Sequence, residues 1–134
     1  MLEDIEQKIA ADPSVVEAWG RWRRCMDDAG YGFADRFAIY LELSVERDRL
    51  LAAFGSELVT GQLLLDDLPD GVAADIAALQ TRERTIAQAD LACRPGLDEA
   101  IYRARVRVEQ ALIDTEPERI DRLLLALAEL PTQY

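Results

Sequence analysis

Apolar residues recur along most of this chain at the spacing of amphipathic helices. Val15, Trp19, Trp22 and Met26 follow one another at intervals of four, three and four, which draws a single apolar stripe on a helix. Asp12-Pro13 supplies a capping side chain and a proline whose missing N–H costs nothing in a first turn, and Gly30 supplies the stop. A short helix over 2–11, with Ile5 and Ile9 on one face, precedes it. Val72, Ile76, Leu79 and Ile86 mark the inward face of a helix that Asp70 caps and Arg94-Pro95-Gly96 ends. Leu97, Ile101, Val108 and Leu112 do the same over 97–114. Thr115-Glu116-Pro117-Glu118 has capping-box spacing and opens a last helix, where Ile120, Leu123, Leu124, Leu127 and Leu130 trace a core pattern before Pro131.

Two stretches read both ways. Over 33–54, a helix puts Phe33, Phe37, Tyr40 and Leu41 on one face and Ile39, Leu43, Leu50 and Phe54 on another, which predicts a central helix with neighbours on both sides. The same stretch alternates Ile39, Leu41, Leu43 and Val45 with Tyr40, Glu42, Ser44 and Glu46, as a strand would. Its length without a turn signal, up to Gly55, favours helix. Residues 101–108 alternate similarly. The expected fold is all-α, a compact bundle of about five to six helices forming a single helical domain over 1–134. The alternative is α+β with short strands near 38–46 and 101–108. Thr60-Gly61 and Pro69-Asp70-Gly71 predict loop with a short helix around 62–68.

Half of the 134 residues are apolar, enough for a core without metals or disulfides. No apolar run approaches the roughly 20 residues of a membrane span, and the acidic start Met1-Leu2-Glu3-Asp4 is unlike a signal peptide, so a cytoplasmic location is expected. Cys25 and Cys93 form no C-x-x-C motif. They read first as free thiols of a reducing compartment, with a single disulfide left open.

The net charge is −11. That field repels phosphates and anionic lipids, so direct nucleic-acid or membrane binding is not expected, and it steers the chain toward a protein with a basic surface. The chain has no histidine. Imidazole-based catalytic triads and H-E-x-x-H zinc sites are thereby excluded, and no Gly-rich phosphate loop occurs. Glu3-x-x-Glu6 and Glu118-x-x-Asp121 match in letter the paired carboxylates with which all-α nucleotide pyrophosphohydrolases hold magnesium, but they stand at opposite ends of the chain. No catalytic residue, cofactor or metal ligand is assigned, and the chain is expected not to be an enzyme.

Three surfaces stand out. Trp19 to Arg24 resembles an aromatic–basic patch, yet helical spacing puts both tryptophans on the core stripe and pairs Glu17 with Arg21 and Arg24 with Asp28. Arg103, Arg105 and Arg107 form the densest basic cluster, partly neutralised on a helix by Glu99 and Glu109 and aligned for an anion only on a strand. Glu57, Asp66, Asp67, Asp70 and Asp75 lie in a window without basic residues beside Leu63 to Leu65 and Leu68, and they are the candidate partner-binding residues. Spare leucines at 2, 58 and 125 suggest self-association as a homodimer. The expected function is an acidic protein-binding module acting by stoichiometric complex formation, such as an inhibitor, an immunity- or antitoxin-like or anti-defence factor, or a chaperone. A structural subunit that oligomerises is the first alternative, and a carboxylate-based magnesium-dependent hydrolase the second.

Overall fold

The computed structural model describes residues 2–52 and 70–129, and all the secondary structure there is helical. The helices are α1 (Leu2–Ala11), α2 (Pro13–Asp28), α3 (Arg36–Leu51), α4 (Asp70–Cys93), α5 (Pro95–Thr115) and α6 (Pro117–Ala128). Both stretches with strand-like alternation are therefore helix, and the all-α reading holds. In the first stretch, local side-chain chemistry sets the limits. Asp35 takes an extended conformation and its carboxylate accepts the Ala38 N–H at 2.8 Å, so α3 begins at Arg36 and Phe33 is buried outside it. The helix expected around 62–68 lies outside the described residues.

The capping box expected at Thr115-Glu116-Pro117-Glu118 does not form, since Glu116 is the N-cap without a side-chain bond and Thr115 Oγ1 donates back to Ala111 C=O. The punctuation of α2 acts as expected. Gly30 closes α2 at φ +94°, a conformation that costs a side-chain-bearing residue energy. Gly30 N–H donates to Asp27 C=O and Tyr31 N–H to Met26 C=O, the paired bonds of a Schellman stop. Asp12 accepts the Ser14 N–H at 2.9 Å and so satisfies an otherwise orphaned donor at the head of α2.

The described residues fall into two compact units. The first comes from Met1–Ala18 and Gly96–Tyr134 and buries Ile9, Val15, Ala18, Leu97 and Ala104. Ion pairs tie its helices together: Arg105 to Glu6, Arg107 to Asp12, and Arg119 to Asp4. The second unit, Trp19–Pro95, buries Trp22, Met26, Phe33 and Ile86. It is closed by a disulfide between Cys25 of α2 and Cys93 of α4. The free-thiol reading is thus corrected. The residues on which α2 and α4 bring their ends together are cysteines, a proximity that spacing along the chain does not reveal.

Two expectations about burial are also corrected. α3 lies along α4, but Phe37, Tyr40, Leu41 and Val45 are exposed, because one neighbouring helix can cover only one of its two apolar faces. On α6, Leu123, Leu124 and Leu127 are exposed although their spacing is that of a core stripe. Periodicity shows that a face is apolar, not that something covers it. Leu125 and Leu2 are exposed as expected, and no described helix is long and apolar enough to cross a membrane.

Two measurements follow. The bridge closes a loop with a sequence separation of 68 residues, so reduction, or replacement of both cysteines by alanine, is expected to cost about 4 kcal/mol. Urea unfolding with and without reductant measures this, and equal midpoints would refute it. Asp12 is held at a pKa of about 2, first by its bond from Arg107 and then by Ser14. Because this folded-state value lies below the unfolded one, the stabilisation is fully present above about pH 4. It is lost as pH falls through about 2. An NMR titration of the Asp12 carboxyl reads the midpoint, and Arg107→Ala is expected to raise it.

Candidate functional site

α3 and α4 run antiparallel, as their cross-helix partners show. Arg36, in the first turn of α3, bonds Asp90 near the end of α4; Glu42 pairs with Arg82; and Arg49, raised above its usual pKa chiefly by hydrogen bonds to Glu46, also feels Asp75 near the start of α4. Glu46 in turn sits below the usual carboxylate range because Arg49 donates to it. These contacts lace the two helices along their polar edges.

Between the helices the structure leaves an open groove of about 550 Å³. α3 lines it with Ile39, Tyr40, Leu43 and Leu51, and α4 with Ile76, Leu79, Ile86 and Ala87. Ile86 is fully buried and forms part of the floor. Arg36, Ser44 and Arg47 on one helix and Gln80, Glu83 and Asp90 on the other contribute its polar lining. Its volume lies within the roughly 300–1,000 Å³ of ligand-sized sites, and mostly apolar walls with a few polar groups are the usual makeup of such sites. Phe37 and Tyr40 stand exposed beside it on α3, their rings 6.1 Å apart.

One end of the groove is fixed by Asp90, which is 9% exposed. Its carboxylate accepts Trp22 Nε1–H at 2.9 Å and Arg36 Nε–H at 3.1 Å, with Arg94 at 3.8 Å. Trp22 is itself 1% exposed and packs edge-on against Trp19. Three donor groups thus face the carboxylate and offset the cost of burying it. Among the described residues no buried side-chain nitrogen or oxygen lacks a partner.

The sequence-predicted sites fare differently. Glu57, Asp66 and Asp67 lie outside the described residues. Asp70 is the first residue of α4, and Asp75 is exposed on the same helix, within the field of Arg49. The arginine cluster does not align for an anion. Arg103 pairs with Glu99, Arg105 with Glu6 and Glu109, and Arg107 with Asp12. Glu6 is therefore engaged by Arg105, and among the described residues no group of three or more potential ligands could hold a metal ion.

Sequence reasoning missed the groove, although a signal was present. Val72, Ile76, Leu79, Glu83, Ile86, Asp90 and Cys93 follow strict intervals of four and three, so two acids interrupt an otherwise apolar stripe. Fold and site together define a class: an all-helical protein with an open apolar groove on one helix pair. The chain matches no protein-family model, no curated protein and no solved structure.

Asp90→Ala is expected to cost about 3 kcal/mol, since it strands the buried indole N–H and uncouples two arginines. Trp22→Phe removes one donor and is expected to cost about 1–2 kcal/mol. A double-mutant cycle in urea unfolding tests the coupling, and strictly additive losses would show that the bond contributes nothing.

Proposed function

We propose that the chain is a protein-binding module that forms a stoichiometric complex by taking an apolar helical segment of its partner into the α3–α4 groove. The observation that carries this reading is the groove itself, with apolar walls and an exposed aromatic pair at its edge. Laying an apolar helix face into such a groove is a recurrent mode of peptide recognition, read by anchors at i, i+3, i+4 and i+7. An inhibitor, an immunity- or antitoxin-like factor and a chaperone all work by complexes of this kind, and catalysis is not part of the reading. The Cys25–Cys93 bridge favours an oxidising compartment over the cytoplasm expected from the N-terminal residues, because reducing cytosol keeps such thiols open.

A second reading, an assembly subunit or homodimer, draws support from α6, where Leu123, Leu124, Leu125 and Leu127 are exposed on a short helix. Calorimetry and amide-shift mapping with a synthetic amphipathic helix bearing a leucine ridge test the first reading. One-to-one binding with a negative heat-capacity change is expected, with shifts concentrated on α3 and α4 and affinity reduced by Leu79→Ser. Absence of binding, or shifts centred on α6, would overturn it. Sedimentation of the chain alone decides the second reading: a monomer at the highest soluble concentration eliminates it.

A further inference from the structure

The groove-facing stripe of α4 carries two acids where apolar residues would continue the pattern, and their surroundings differ. Asp90 is buried and receives bonds from Trp22 and Arg36, with Arg94 close by. Glu83 lies one period earlier on the same stripe, between Leu79 and Ile86, and lines the groove. Among the described residues Glu83 has no ion pair or side-chain hydrogen bond, and the undescribed residues contain no lysine or arginine that could supply an ion pair.

Resting on the groove reading above, we infer that Glu83 selects the occupant: a basic amphipathic helix whose lysine or arginine meets this carboxylate while its apolar ridge fills the groove. The argument is one of desolvation. A segment that fills the groove strips water from Glu83, and an apolar occupant offers nothing in exchange, whereas a cation does. The two arginines of the lining do not offer the opposite preference, because Arg36 is engaged by Asp90 and Arg47 by Asp48. The position fits the charge of the whole chain. The groove-bearing residues 19–95 hold thirteen acidic and nine basic side chains, and of the two carboxylates in the lining Glu83 is the one without an ion pair among the described residues. Residues 1–18 and 96–134 hold thirteen acidic against six basic and draw cationic partners at long range.

The test uses the full chain and two synthetic helical peptides with the same leucine ridge, one flanked by lysines and one by glutamines. Glu83→Gln is compared with Glu118→Gln, which removes the same charge from exposed α6. Circular dichroism confirms that both variants stay folded. Glu83→Gln is expected to weaken the lysine peptide roughly tenfold, the scale of one charge-assisted bond in a partly dry site. It should leave the glutamine peptide equal or tighter, while Glu118→Gln changes neither by more than about twofold. Equal effects of the two substitutions on the lysine peptide would overturn the assignment to Glu83 and leave the groove reading standing. Failure of both peptides to bind the unsubstituted chain would overturn the groove reading and this inference together.

Discussion

A buried carboxylate needs partners that stay in place, and much of the Trp19–Pro95 unit is arranged as though to supply them to Asp90. Trp22 comes from α2, Arg36 from the first turn of α3, and Arg94 from the residue that follows α4. Two other helices and the end of α4 itself thus converge on one acid. Each has to hold its register for the charge to remain compensated, because an uncompensated ion in the interior would cost several kcal/mol. The Cys25–Cys93 bond joins the same two helices, α2 and α4, one turn beyond Trp22 and Asp90, so covalent and polar constraints reinforce one another. The groove follows from this arrangement. With α3 held at one end by Arg36 and along its edges by Glu42–Arg82, the apolar walls stand apart without collapsing.

Most of the fold was legible because helix punctuation is local. Asp12-Pro13, Gly30 and Pro95 act on the residues beside them, and the helices begin and end there. The ambiguous alternations at 38–46 and 101–108 resolved as helix for the same reason: neither contains a turn residue that would let a strand reverse. Burial was less legible. Leu123, Leu124 and Leu127 have core spacing and are exposed, while Phe33 lies outside any helix and is buried. Which apolar face is covered depends on what arrives from elsewhere in the chain, and periodicity within one helix does not carry that information.

The candidate site was hidden for a related reason. Attention to clustered charge leads toward Glu57, Asp66, Asp67, Asp70 and Asp75, since five acids in one window are conspicuous. The groove depends on residues of α3 and α4 far apart in the chain that meet only when the two helices run antiparallel. The seven-position step from Leu79 to Ile86 is where the missing place on the stripe falls to Glu83. Charged residues inserted in an apolar stripe are costly unless matched, and for this reason they say more about a site than acids crowded on a solvated face.

The bridge between Cys25 and Cys93 has a topological consequence. Residues 25–93 form a closed covalent ring, so a single hydrolysed peptide bond anywhere between the two cysteines releases no fragment. A nicked molecule keeps both severed parts in one particle, heavier only by a water. A cut between α3 and α4 therefore leaves the two walls of the groove covalently joined, through α2 and the bridge.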